Sequence, residues 1–252
     1  MLSKQAKSKK IRLDDLLVAQ GYFPDRDAAL RAVLAHEVRV DDVYPTSAAV
    51  QVRLDADVFV RNRKRFVSRG GHKLQAALDA FCLDVYGLRC IDIGSSTGGF
   101  TDCLLQAGAA SVTCVDVNYG QLAWQLREDA RVYVFERTNI KNANPAILGA
   151  PFDLLVADLS FIGLAGLAST FAALCAPKSV LIALVKPQFE SKHDETDRGI
   201  VRDPAVRERV LREVKEALKL AGFSVEGAIE SPIKGADGNV EYLVKATFRG
   251  CN

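Results

Sequence analysis

Histidine is scarce in this 252-residue chain, with only three, and none of the six cysteines forms a Cys-x-x-Cys pair. The histidines are widely spaced, so no zinc site is expected. His72 and His193 read as linker and surface residues. Cys82, Cys90, Cys103, Cys114, Cys175 and Cys251 lie mostly in apolar runs and read as reduced thiols of a cytoplasmic protein. Long hydrophobic runs are also lacking. The least polar stretch, residues 161–176, has 16 residues and includes Ser169 and Thr170, whereas a spanning helix needs about 20. No apolar core follows the Lys-rich first residues, so neither a membrane span nor a signal peptide is expected. Internal repeats and low-complexity tracts are missing too.

What remains is ordinary for a folded protein: 49% hydrophobic and 25% charged residues, enough to build a packed core. The length suits one large domain, or a medium one with a small one. The net charge of +2 hides an asymmetry. Residues 1–73 hold 15 Lys and Arg against 9 Asp and Glu, and the remainder holds 18 against 22. The excess is densest over residues 61–73, where Arg61, Arg63, Lys64, Arg65, Arg69 and Lys73 occur with no acid. Such a stripe attracts polyanions by charge and counterion release. A solvated linker has the same composition. Phe66 among these cations either stacks on a base or covers an apolar patch.

Apolar periodicity predicts two short helices near residues 13–18 and 28–33, capped by Asp25 or Asp27 in the second case, with Gly21 between them. Val38-Arg39-Val40, Asp41-Asp42 and Val43 read as strand, turn and strand, and further short strands are expected at 50–54 and 58–60. This gives a small α+β domain over residues 1–60, frayed in its first ten, then a basic linker at 61–71, then a larger domain at 72–252. In the larger domain an amphipathic helix is expected at 72–84, and strands at 88–93, 111–117, 131–135, 152–159 and 179–185. Helices near 99–106, 121–128, 162–175 and 204–221 alternate with them, and an antiparallel pair at 223–230 and 240–248 closes the pattern. That alternation implies a doubly wound, mostly parallel α/β sheet.

Asp92-Ile93-Gly94-Ser95-Ser96-Thr97-Gly98-Gly99-Phe100 ends a strand and opens a helix. Glycines there let the backbone turn sharply and approach a ligand. Ser96 stands where a dinucleotide fingerprint has its middle glycine. A carboxylate directly before the loop suits a cationic ligand better than a pyrophosphate, because like charges repel. This is the pattern of S-adenosylmethionine enzymes. Asp116, at the end of the second strand, can hold ribose hydroxyls, and Thr138 and Asn139 can approach an adenine. Asp158-Leu159-Ser160-Phe161 and Lys186-Pro187-Gln188-Phe189-Glu190 end the fourth and fifth strands, on the ligand face of an open sheet. Lys186 follows six apolar residues, 180–185. Desolvation lowers the pKa of such a lysine and a nearby Asp158 raises it, so the net direction stays open. No Asn/Asp-Pro-Pro-aromatic run occurs at the fourth strand, which speaks against base N-methylation. No Cys lies in either segment, which speaks against cytosine C5 chemistry. A Lys/Asp/Glu set suits deprotonation of a hydroxyl.

These motifs resemble the TlyA (hemolysin A) rRNA methyltransferases. The likeness includes Ser68-Arg69-Gly70-Gly71-His72-Lys73-Leu74, the glycine loop, Asp116-Val117-Asn118-Tyr119-Gly120-Gln121-Leu122-Ala123-Trp124 and both strand-end segments. It extends through Gly199-Ile200-Val201-Arg202-Asp203, Ser231-Pro232-Ile233 and Gly238-Asn239-Val240-Glu241. The resemblance implies an FtsJ-like Rossmann methyltransferase domain that uses S-adenosylmethionine, with a catalytic tetrad of Lys73, Asp158, Lys186 and Glu241. It implies cytidine 2'-O-methylation of rRNA in the 50S subunit, the 30S subunit or both. It also makes the N-terminal unit an alpha-L RNA-binding domain, in which Arg12, Arg26 and Arg31 join the linker cations in contacting RNA. Asp25, His36-Glu37 and Asp41-Asp42 depart from that domain's usual pattern. A membrane-lytic protein and a non-catalytic RNA-binding module are the competing readings. The first is opposed by the missing span and leader, the second by the intact tetrad.

Overall fold

A computed structural model describes residues 10–61, 65–235 and 237–250. The chain divides after Lys64 into two units. The first contains β1 (Lys10–Arg12), α1 (Leu13–Ala19), α2 (Arg26–Leu34), β2 (Val38–Val40), β3 (Gln51–Arg53) and β4 (Val58–Val60). β1 pairs with β3 and β2 with β4, both antiparallel. Leu13 and Leu17 of α1 pack against Ala29, Ala32 and Val33 of α2 and against Val38 and Val40. Asp25 is the cap of α2, accepting the Ala28 N–H at 2.7 Å. The strand expected around residue 43 shrinks to one bridge between Val40 and Val43. Asp41 and Asp42, both at positive φ, make the turn between them.

The second unit opens with α3 (Gly70–Ala80), β5 (Arg89–Ile93), α4 (Gly99–Gln106), β6 (Ser111–Val115), α5 (Trp124–Arg127) and β7 (Val132–Phe135). It continues with α6 (Pro145–Leu148), β8 (Phe152–Ala157), α7 (Ala168–Ala173), β9 (Cys175–Val185) and α8 (Pro187–Glu190). α9 (Pro204–Leu220), β10 (Phe223–Glu230) and β11 (Tyr242–Phe248) complete it. The seven strands form one sheet in the order β10-β11-β9-β8-β5-β6-β7, in which β11 runs against both neighbours and the other pairs are parallel. This is the mostly parallel α/β sheet the alternation implies, with its antiparallel closing strands.

Both faces of the sheet are covered. Along β8, Leu154 and Val156 enter one core while Leu155 and Ala157 enter the other. That is the period of two of a strand, and it explains why these strands read as continuous apolar runs. α9 shows the other period, burying Val210, Val214 and Leu218 every fourth residue after an Asp203 cap and Pro204.

The helix expected at 162–175 is shorter than its composition suggests. A 3-10 turn, Ala165–Leu167, leads into α7, and β9 begins where the helix was expected to end. Cys175 pairs with Phe152, whose N–H donates to the Leu174 carbonyl, so tertiary strand pairing takes backbone groups a longer helix needs. The helix expected at 121–128 similarly survives only as α5. Among the described residues no helix is long and apolar enough to cross a membrane.

Candidate active site

The sheet order reverses at β5: β6 and β7 lie on one side, β8 and β9 on the other. Ligands of open α/β sheets bind at the carboxyl ends beside such a point. The loop leaving β5 turns through positive φ at Gly94, Ser96 and Gly98. A Cβ on Gly94 would lie 2.5 Å from the Asp158 carbonyl, so only glycine lets the two strand ends touch. Gly98 is not among the residues that line the cleft above this loop. A Cβ there would meet Leu126 and Leu122, so its missing side chain allows close packing beneath α5.

A cleft of about 380 Å³ opens above this loop, lined by Asp92, Gly94, Ser95, Ser96, Thr97, Gly99 and Phe100 together with Lys73, Asp158, Lys186 and Glu241. An adjoining hollow of about 320 Å³ shares Gly94, Ser96, Asp158 and Ser160 with it and is lined by Asp116, Thr138, Asn139 and apolar Ile93, Val117, Ile140 and Leu159. The Asp116 carboxylate accepts the Ser96 N–H at 2.7 Å and the Asn118 N–H at 2.8 Å, which ties the ends of β5 and β6 together. Its two oxygens offer about four lone-pair sites, leaving capacity for a ligand. Asn139 Oδ1 is engaged by the Lys141 N–H, so its oxygen is partly committed to the local turn.

Asp92 is fully buried. Its Oδ2 accepts the Thr101 N–H at 3.0 Å and the Thr101 hydroxyl at 2.6 Å, while Oδ1 has no hydrogen-bond partner among the described residues. Burial pushes its pKa up to about 7, against the two Thr101 bonds, with the Asp158 and Asp116 charges adding to the rise. A buried carboxylate oxygen without a partner beside a cleft is the chemical counterpart of a cationic ligand.

At the other end of the cleft stand two ion pairs. Lys186 Nζ is 2.5 Å from Asp158 Oδ1 and donates to Ser160 Oγ at 3.1 Å. The first is a charge contact outside hydrogen-bond direction, since Asp158 Oδ1 counts no hydrogen-bond partner. Lys73 is ion-paired with Glu241 through Oε2, and these residues are only 8% and 3% exposed. The reversal of β11 makes this meeting possible. Tyr242 is in register with Val185, so the residue before β11 lies beside the residue after β9. α3 supplies Lys73 from above the sheet. Ser160 and Thr101 are contacts that sequence reasoning missed. A hydroxyl beside a strand-end acid is too common a signal to single out. Beyond Ser160, Phe161 holds φ of +65°, is 90% exposed, and packs its ring 5.1 Å from that of Phe189. Positive φ is rare for so bulky a residue.

The cation stripe is less uniform than it reads. Arg69 is exposed and lines the cleft. Arg65 covers Phe66, 4.9 Å from the ring centroid, and donates to Gln75. Phe66 itself is 2% exposed, and a Cβ on Gly71 would lie 2.2 Å from its ring. Of the two roles open to Phe66, the burial of its ring favours the apolar one over base stacking, since it packs into the core. In the first unit Arg12 pairs with Asp14 at 2.6 Å and Arg26 with Asp15 at 2.5 Å, while Arg31 is exposed and Arg61 lies over Tyr44. The Arg26–Asp15 pair is largely exposed, and such pairs are worth little, whereas Asp14 is buried and holds Arg12 through two hydrogen bonds. Arg63, Lys64 and Cys251 lie outside the described residues, as does the side chain of His193. The thiols of Cys90, Cys103 and Cys175 are pushed up to about 12 by burial, and Cys114 is raised as well, so these stay protonated and inert near neutrality.

A family model described as FtsJ-like methyltransferase matches residues 66–248. A 16S/23S rRNA (cytidine-2'-O)-methyltransferase TlyA of Mycobacterium tuberculosis is 41% identical over 240 residues, covering 94% of this chain and 90% of the relative. Hemolysin A of Brachyspira hyodysenteriae is 37% identical over 92% of this chain and 98% of its own length. A solved Streptococcus thermophilus structure, provisionally named a hemolysin, superposes with a TM-score of 0.73 at 38% identity, covering 96% of this chain and 90% of the other. With so much of both chains aligned, and with a loop, a switch point and two lysine–carboxylate pairs in one cleft, this chain belongs to the TlyA family of FtsJ-like methyltransferases.

Proposed function

We propose that this methyltransferase takes its methyl group from S-adenosylmethionine and places it on the ribose 2'-oxygen of a cytidine in rRNA, in the cytoplasm, on a 50S or 30S particle. The observation that carries this reading is the convergence of Lys186, Asp158, Lys73 and Glu241 in one cleft with the glycine loop. When bound, S-adenosylmethionine supplies an electrophilic methyl group on a sulfonium. Asp92, the 94–100 loop and Asp116 would hold it, with Thr138 and Asn139 around the adenine. Lys186 would meet the ribose hydroxyl, either taking its proton or facing the developing oxyanion with positive charge. Asp158 and Ser160 would orient Lys186, and the buried Lys73–Glu241 pair would keep a second cation beside the nucleophile. The first unit, with Arg12, Arg26 and Arg31, and the 61–71 linker would dock RNA through phosphates, which positions but does not specify.

The deciding experiment supplies labelled S-adenosylmethionine with separately purified, unmodified 30S and 50S particles. Label in rRNA at a cytidine ribose is expected on at least one. Label in neither, with cofactor binding intact, removes the ribosomal assignment.

The raised pKa of Asp92 gives this reading a pH signature. The folded value, about 7, exceeds the ordinary 3.8, so the free protein holds a proton there between those pH values, and the group's contribution to stability declines as pH rises through that window. A cationic ligand favours the charged form, lowers the pKa and releases the proton. Binding enthalpies at pH 6.5 in phosphate and in Tris should therefore differ, by roughly half a proton or more of buffer ionisation. Asp92→Asn should remove that difference. Identical buffer dependence in the two proteins would refute it.

Phe161 at the cleft mouth offers a free aromatic face to a base lifted from its stack. Phe161→Ala is expected to weaken RNA substrates by about 1–3 kcal/mol in kcat/KM while leaving cofactor affinity unchanged. Equal loss of both would assign the ring to the cofactor instead.

A further inference from the structure

Residues 158–164 leave the end of β8 as irregular chain, carrying Asp158, Ser160 and Phe161. Nothing regular holds this segment until the 3-10 turn Ala165–Leu167. That turn lacks a local cap, because the residues before it are Gly163 and Leu164. Its cap comes from 26 residues away. Glu190, the last residue of α8, places Oε1 2.5 Å from the Leu164 N–H. Burial raises the Glu190 pKa, and the Leu164 and Ala165 N–H groups, which favour the charged form, only partly oppose that rise. Gly163 makes the approach possible, since a Cβ there would lie 2.8 Å from Glu190 Oε2. Phe189, the preceding residue, grips the same segment through the Phe161 ring.

α8 follows Lys186 directly. The chain thus closes a circuit in which Lys186 touches Asp158 and Ser160 at one end and Glu190 holds Leu164 at the other. We infer that Glu190 is a positioning residue that locks the Asp158–Ser160–Phe161 segment against the strand end bearing Lys186. It touches neither nucleophile nor methyl group. It fixes the distance between two parts that must act together, and misplacement by about 1 Å at such a site costs on the order of 100-fold in rate. The contacts that the glycine loop and Asp116 offer a cofactor lie on other strands and are kept, while Asp158, Leu159 and Phe161 of the segment also line the hollow beside Asp116. The inference rests on the roles proposed above for Lys186 and Asp158.

The test measures methyl transfer to unmodified ribosomal particles by the full chain, with cofactor affinity by calorimetry. Glu190→Ala is expected to lower kcat by about 30-fold or more, with KM for RNA and the cofactor Kd within about threefold. Glu190→Gln keeps an acceptor oxygen for Leu164 and should recover most of that loss. Gly163→Ala attacks the same joint from the other side, should lower kcat alike, and should add nothing to Glu190→Ala. Should Glu190→Ala fail to fold, Gly163→Ala and Glu190→Gln decide by the same criterion. A fully active Glu190→Ala, a Gln variant no better than Ala, or additive losses overturn the inference. Lys186→Ala run in parallel separates the two levels. If it stays active, the assignment of the site fails. If it is inactive beside a fully active Glu190→Ala, only the positioning role fails.

Discussion

Lys186→Ala should abolish methyl transfer almost completely, with a fall in kcat of about 100- to 10,000-fold, while cofactor affinity changes by less than about threefold. The expectation follows from where the ammonium stands. Lys186 Nζ touches Asp158 and Ser160, which border both the cleft and the hollow beside Asp116, while Lys186 itself lines the cleft and not the hollow. Removing it takes away the group that would meet the ribose hydroxyl and leaves the nucleotide contacts in place. Lys186→Arg discriminates between its two possible duties. Arginine keeps the charge but does not give up a proton at any working pH. Activity restored by arginine would make Lys186 an electrostatic partner of the oxyanion. Continued inactivity would favour proton transfer. Retention of wild-type kcat in Lys186→Ala would end the assignment of this site. Single-turnover methylation with labelled cofactor, beside calorimetric titration, gives both readings.

Glu241→Ala should cost stability as well as activity. Lys73 and Glu241 are an almost fully buried pair, and deleting one partner strands the other charge in a low-dielectric site at a cost of about 3–5 kcal/mol. For a unit of this size each kcal/mol lowers Tm by roughly 2–4 °C, so a fall of about 6–20 °C is expected in thermal denaturation. The double change Lys73→Met with Glu241→Leu removes both charges together. Apolar replacement of a whole buried pair is often neutral or stabilising, so the melting temperature should return towards the parent value. Methyl transfer should not return, because the second cation beside the nucleophile is gone. A Glu241→Ala protein that melts within about 2 °C of the parent would contradict the burial of the pair. A double variant that regains activity would reduce the pair to a structural role.

The strand, glycine turn and helix at residues 89–106 were legible in the sequence because each is a local event. A short, mostly apolar run bounded by a glycine turn sets the strand, glycine permits positive φ, and the apolar spacing of Phe100, Cys103 and Leu104 sets the helix. The apolar run before Lys186 was legible for the same reason, since a strand buried on both faces needs no alternation. Lys73 and Glu241 could be paired only through resemblance to a family. They are 168 residues apart, and nothing in either neighbourhood encodes the partner. Strand order and the reversal of β11 decide that contact. Phe66 shows the limit from the other side. An aromatic among arginines has the composition of a nucleic-acid contact, and only the closeness of Gly71 shows that the ring belongs to the core. The shortened helix before β9 and the cap that Glu190 supplies to Leu164 were likewise settled by backbone groups finding distant partners. The sequence by itself determined the order of strands and helices along the sheet domain, the glycine loop and which strand ends carry acids and lysines. The tertiary structure decided which of those charges meet, because a charge's partner is set by the register and direction of strands far apart in the chain.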